Sequence, residues 1–164
     1  MHKELYIRWL NDAYSMEGAI DKMLTQQIKS IDDPEAQAKI EEHRDVTREQ
    51  GELIKKRIEA LGEDVSSMKA GSAKIFGILD GLAMGMPEDK LVKNIIGNYA
   101  VEAFEIASYS SLAEAARFFG DMETQQVCEA ILRQEEEMAA WLASQIQTAT
   151  QTLLAAEERE HAAA

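Results

Sequence analysis

Apolar residues recur at spacings of three and four along four long stretches of this chain, the pattern of helices that each bury one face. The first stretch, from about Lys3 to Ile31, places Leu5, Leu10, Ala13, Ile20, Leu24 and Ile28 on a stripe interrupted once, by Glu17. The second runs from Pro34 to about Leu61, with Ile40, His43, Thr47, Gln50, Ile54 and Leu61 inward, and is polar in its middle. Asp33 is placed to cap it, Pro34 suits a first turn where its missing N–H is no loss, and Gly62 is a natural stop. The third, opened by Pro87, reaches about Phe119 with Ile95, Tyr99, Glu102, Ile106, Tyr109 and Ala113 inward. Gly120 and Asp121 make a turn. The fourth then runs from Met122 into the 150s with Val127, Ile131, Glu135, Met138, Leu142 and Ile146 inward.

Between the second and third stretches lies a long link with a short glycine-containing helix from Ser72 to about Met86. A simple up-down-up-down bundle needs only a few residues there. Two hairpins joined by a long link predict instead a ferritin-like connectivity with one long crossover. The expected fold is therefore all-α: a four-helix bundle whose crossover contains a short fifth helix. Residues 3–157 form its single domain, and residues 158–164, having lost the apolar face, are expected to fray. With only two prolines and no alternating strand-like runs, the composition agrees.

The phrase Tyr14-Ser-Met-Glu17 recurs as Tyr99-Ala-Val-Glu102, 85 positions on (102 less 17). The same offset sets Val46 to Gln50 against Ile131 to Glu135, and Leu53 against Met138, so the chain reads as one helical hairpin written twice. Each copy carries a carboxylate where an apolar residue is expected. A single inward glutamate is ordinarily a stripe-edge residue with its head in solvent. Glu17, Glu102 and Glu135 at related register point instead to one shared polar site, because an unpartnered buried carboxylate protonates, pairs or binds a cation. No Lys or Arg lies on the inward stripes; Arg48 and Arg133 fall on the far side of their helices. Gln50 adds a neutral oxygen. Glu105, one turn from Glu102, is a second-tier ligand of open orientation, and Tyr14, Tyr99 and Tyr109 are candidate hydrogen-bond donors to the ligand oxygens. His43 lies two turns from Gln50, about 10 Å along the axis, and reads as a hydrogen-bonded core histidine rather than a ligand of the same ion. The methionines at helical spacing and Cys128 read as core.

A net charge of −13 without a basic stripe argues against nucleic acid as a partner. No segment approaches the ~20 apolar residues that span a bilayer, and the charged amphipathic start is unlike a signal peptide. The lone cysteine excludes an intrachain disulfide framework and fits a reducing compartment, so a cytoplasmic location without membrane association is expected.

The phrases WLNDAYSMEGAIDKML, IEEHRDVTREQ, YAVEAFEIASYSSLAEAA and EAILRQEEEMAAWL, in this order, resemble the YciE/YciF-type ferritin-like family, most closely its YciE branch. The likeness covers the chain except its last ten or so residues. It implies a rubrerythrin-related four-helix bundle, a homodimer, in a bacterial family tied to stress responses whose activity is not established. The wider ferritin-like pattern takes one Glu from each of helices one and three and a Glu-x-x-His from each of helices two and four. Glu17 and Glu102 match the first pair. The helix-two motif falls on Thr47 and Gln50 and the helix-four motif on Leu132 and Glu135, so both histidines and both leading glutamates are missing.

The resulting expectation is a stress-response protein with a degenerate carboxylate site for one or two divalent ions. Its ligands are Glu17, Glu102 and Glu135, with Gln50 and Glu105 assisting. Among Mn, Fe, Mg and Ca, oxygen-rich ligation leans to the hard ions and away from redox iron; a site holding no metal is the other outcome. The rival readings are a non-enzymatic dimeric scaffold with a vestigial site and, ranked last, an iron-storage subunit. Spare apolar surface (Leu5, Ile7 and Trp9 cannot all face inward with Leu10) favours a homodimer, and an unidentified stress-related protein is the further partner expected.

Overall fold

The computed structural model describes residues 3–65 and 90–163. These residues form four helices: α1 Glu4–Ile28, α2 Pro34–Ala60, α3 Lys90–Phe119 and α4 Met122–Ala163. Asp33 caps α2 as its sequence suggests, its Oδ1 accepting the Ala36 N–H at 2.8 Å ahead of Pro34 in the first turn. Glycines that enter the left-handed region end the second and third helices, Gly62 at φ 85° after α2 and Gly120 at φ 72° between α3 and α4. No helix among the described residues is long and apolar enough to cross a membrane.

Inter-helix contacts set the topology. Arg48 reaches back to Asp21, Gln27 and Asn98 pair through their amides, and Arg57 meets Asp121 and Thr124. Gln27, late in α1, meets Asn98, early in α3, and Arg57, late in α2, meets Thr124, early in α4. With the pairs Glu17–Tyr109 and Gln50–Glu135 further along, α1 packs antiparallel to α3 and α2 antiparallel to α4, while the short turn before Pro34 folds α2 back antiparallel to α1. Hence α2 ends at one end of the bundle while α3 begins at the other, the arrangement one long crossover produces. The expected short helix from Ser72 to Met86 and the helix-opening Pro87 lie outside the described residues.

The core runs along the axis through Leu10, Met16, Ile20, Leu24, Ile54, Ile58, Ile131 and Leu142, all essentially inaccessible. Four details differ from the sequence pattern. Tyr6 rather than Leu5 is buried at the start of α1, stacked on Phe119 and donating to Asp121 Oδ2 at 2.9 Å, while Leu5 is exposed. On α2, Ile58 is buried and Leu61 only partly so. The inward face of α3 is Asn98, Val101, Glu102, Glu105, Tyr109, Leu112 and Ala116, leaving Tyr99 exposed and Ile95, Ile106 and Ala113 half-buried. A pattern that prefers isoleucine to glutamate for burial turns this helix by part of a step. Finally, the tail expected to fray continues α4 to Ala163. Residues 158–162 are exposed, so the Ala- and Glu-rich sequence carries the helix by local propensity.

Candidate metal centre

Midway along the bundle the apolar core gives way to a layer of polar side chains, all buried: Glu17 from α1, His43, Thr47 and Gln50 from α2, Glu102 and Glu105 from α3, and Glu135 from α4. The helical repeat puts them there. His43, Thr47 and Gln50 lie on one face of α2 at spacings of four and three, and Glu102 and Glu105 are one turn apart on α3. Within this layer four residues converge. A ligand atom from each of His43, Glu102, Glu105 and Glu135 lies within 4.8 Å of every other. Donors about 2.0–2.2 Å from a common ion stand no more than about 4.4 Å apart, so slight contraction would bring these four onto one centre.

The hydrogen bonding around the cluster is incomplete in a telling way. Among the described residues, every buried side-chain polar atom without a hydrogen-bond partner belongs to this layer: Glu17 Oε2, His43 Nε2, Gln50 Oε1, Glu102 Oε2, Glu135 Oε2 and both oxygens of Glu105. His43 Nε2 is 3.0 Å from Glu102 Oε1, yet the two are not aligned as donor and acceptor. Folded proteins rarely leave such atoms unpaired, each costing about 1–3 kcal/mol. Shared protons can satisfy some of these lone pairs, and a cation can satisfy several at once.

The remaining contacts hold the layer's edges. Tyr109 donates its phenolic proton to Glu17 Oε1, and Gln50 Nε2 donates to Glu135 Oε1 and, at 3.1 Å, to Gln134 Oε1. Thr47 is not turned into the cluster; its hydroxyl donates to the His43 carbonyl at 3.1 Å.

Burial sets the protonation states. It pushes Glu102 up to about 7, against a hydrogen bond with Glu135 that pulls it back. It lifts Glu135 to about 8, with the proton shared with Glu102 and that carboxylate's charge adding to the rise. Glu105 is held well above the usual carboxylate range by burial and then by the charges of Glu17, Glu135 and Glu102. Glu17 is raised by burial and its carboxylate neighbours, against the Tyr109 hydrogen bond. His43 moves the other way, lowered by burial against the pull of Glu135. Near neutral pH the metal-free layer therefore holds shared protons, and His43 is neutral with a lone pair to give.

The sequence-derived set is thus redistributed. Glu102, Glu135 and Glu105 belong to the converging four. Glu17 is buried beside them, joined through Tyr109 and by charge, and Gln50 is attached through Glu135. Of the three tyrosines only Tyr109 bonds a carboxylate of the layer; Tyr14 is half-buried and Tyr99 exposed. His43, read from the sequence as a core histidine, is buried and stands among these carboxylates. Its axial distance from Gln50 argued against a shared ion, but the long Glu102 and Glu135 side chains bridge that rise. The internal repeat hid it too: 85 positions on from His43 stands Cys128, and 85 before Glu105 stands Ile20, both fully buried. The converging four thus place an imidazole beside three of the carboxylates that the sequence offered.

Comparison with known proteins places this architecture. Residues 1–155 match the family described as a domain of unknown function, DUF892. A protein of known structure from Xanthomonas campestris pv. campestris is 33% identical, over 95% of this chain and 97% of that one, with a TM-score of 0.80. The E. coli stress protein YciF superposes with a TM-score of 0.79 over 91% of this chain and 96% of its own, at 19% identity, and so shares the fold.

Proposed function

The chain belongs to the DUF892 family, and on that premise we propose that it is a bacterial stress-response protein whose His43, Glu102, Glu105 and Glu135 bind a divalent metal, Fe²⁺ or Mn²⁺. The observation that carries the reading is the concentration of unpartnered buried lone pairs in one layer. One imidazole with three carboxylates suits these borderline ions better than Mg²⁺ or Ca²⁺, which favour oxygen alone. Such an ion supplies one-electron chemistry towards peroxide or dioxygen. The protein's part is to hold the four donors, to keep His43 neutral, and to fix Glu17 and Glu135 through the Tyr109 and Gln50 hydrogen bonds. The quoted sequence phrases support a place on the YciE branch, related to rubrerythrins, and the single buried Cys128 fits the cytoplasm.

The test is elemental analysis of protein purified without chelator or affinity metal, with anaerobic Fe²⁺ and Mn²⁺ titration. Bound metal that is lost in Glu102→Gln plus Glu135→Gln supports the reading. A protein that retains none and binds none refutes it.

The second reading, a non-enzymatic dimeric scaffold, is favoured by the proton that Glu102 and Glu135 share and by the bonds that tie off Glu17 and Glu135 without an ion. Exposed Leu5, Trp9, Phe118 and Met122 at one end of the bundle support a homodimer under either reading. Size-exclusion chromatography with light scattering tests it, and a monomer at micromolar concentration would remove it.

A further inference from the structure

A buried ion site needs a way in, and one flank of this bundle is notched where the polar layer reaches α1. Between α1 and α2 lies a cleft of about 460 Å³, with Glu17, Gly18 and Asp21 on one wall and Thr47, Arg48 and Gly51 on the other. Gly18 leaves it open, and Gly51 sets how closely the helices approach beside it. A Cβ on Gly18 would have no atom within 4 Å, because it would project into the open cleft. A Cβ on Gly51 would stand 3.3 Å from Glu17 Cβ, so the missing side chain there lets α1 and α2 close down directly over Glu17. Glu17 belongs both to the cleft wall and, through its charge on Glu105, to the buried layer. Its Oε1 is taken by Tyr109, while its Oε2 is buried without a partner.

We propose that this cleft is the port by which a divalent cation passes from solvent to the His43, Glu102, Glu105 and Glu135 cluster, with Glu17 as the relay that receives it first. The inference rests on the metal reading above. Three carboxylates, Glu17, Asp21 and Glu52, line the cleft against two cations, Arg48 and Lys22, and Arg48 is engaged with Asp21 at 2.7 Å. That pair spans the two helices across the cleft and narrows it. The cation exchanges water for carboxylate oxygen one ligand at a time, avoiding the cost of entering the apolar core bare. Glu17 lies outside the converging four because its task is passage rather than residence.

The test is stopped-flow uptake of Co²⁺, followed by its visible absorption, by the metal-free full chain. Gly18→Trp fills the cleft without displacing backbone, and Gly18→Leu is the smaller plug should tryptophan impair folding. Each is expected to slow both loading and chelator-driven release by about tenfold or more, leaving equilibrium affinity unchanged, since a port changes the barrier and not the end states. Gly18→Ala is the control that leaves the rate alone, and Arg48→Ala, which removes the bar, should quicken it. Plugged variants that load as fast as the wild type overturn the port while leaving the site intact. Plugged variants whose affinity falls with an unchanged loading rate overturn it too. A wild type that takes up no Co²⁺ overturns the metal reading and the port with it.

Discussion

Glu105→Met isolates the energetic argument for the metal centre. Glu105 is completely buried, and neither of its oxygens has a partner. Burial and three neighbouring carboxylates hold it well above the usual carboxylate range, so the folded protein carries a desolvated carboxyl that returns little. Methionine is unbranched and of similar length, a substitution whose packing cost is typically under about 1.5 kcal/mol. Removing one unsatisfied buried group is worth about 1–3 kcal/mol. In chelator the variant should therefore equal or exceed the wild type, at about 2–4 °C in Tm per kcal/mol for a chain of this size. Metal reverses the order. A site saturated a hundredfold over its Kd stabilises the fold by about 2.7 kcal/mol, and the variant should lose most of that gain. The assay is thermal unfolding by circular dichroism, in chelator and in excess Mn²⁺. A variant that melts well below the wild type in chelator, or gains as much from Mn²⁺, refutes the reasoning.

Acidity should act in opposite directions on two parts of the molecule. Glu102 and Glu135 have folded values raised to about 7 and about 8, so the metal-free folded state binds more protons than the unfolded chain. Their contribution to stability is full below the unfolded carboxyl value of about 4.3 and is lost as pH rises through 7 to 8, while Mn²⁺ affinity rises over that window; titrations at pH 6 and 8 check both. Asp121 is the reverse case. Burial tends to raise it, but hydrogen bonds from Thr124 and Tyr6 and the Arg57 charge leave it lowered, so its support is present at neutral pH and lost on acidification. Asp121→Ala removes the acceptor of four such bonds and should cost about 2–4 kcal/mol in urea unfolding; a loss under about 0.5 kcal/mol would show the network to be idle. Gly18→Ala should stabilise by up to about 1 kcal/mol, since its Cβ meets nothing, whereas Gly51→Ala should gain less because its Cβ presses on Glu17; equal melting shifts would contradict the packing.

Local physics made most of the fold readable. Apolar residues at helical spacing, Asp33 before Pro34, and Gly62 and Gly120 after their helices act within a turn or two of themselves, so the four helices, the start and end of α2 and the end of α3 followed from the chain alone. The internal repeat also located Glu17, Glu102, Gln50 and Glu135, because duplicated positions are visible wherever both copies stay polar. The rotation of α3 was not local. Whether Glu105 or Ile106 turns inward depends on what the other three helices present at that height, where Glu105 meets a layer of buried polar side chains. His43 was hidden for the same reason. Distance along one helix is a property of sequence, whereas the reach of side chains from α3 and α4 across the bundle is not. That the chain carries buried carboxylates was thus written in its sequence; which of them converge, and on which histidine, was decided only by packing, because convergence is a relation between helices and no single helix contains it.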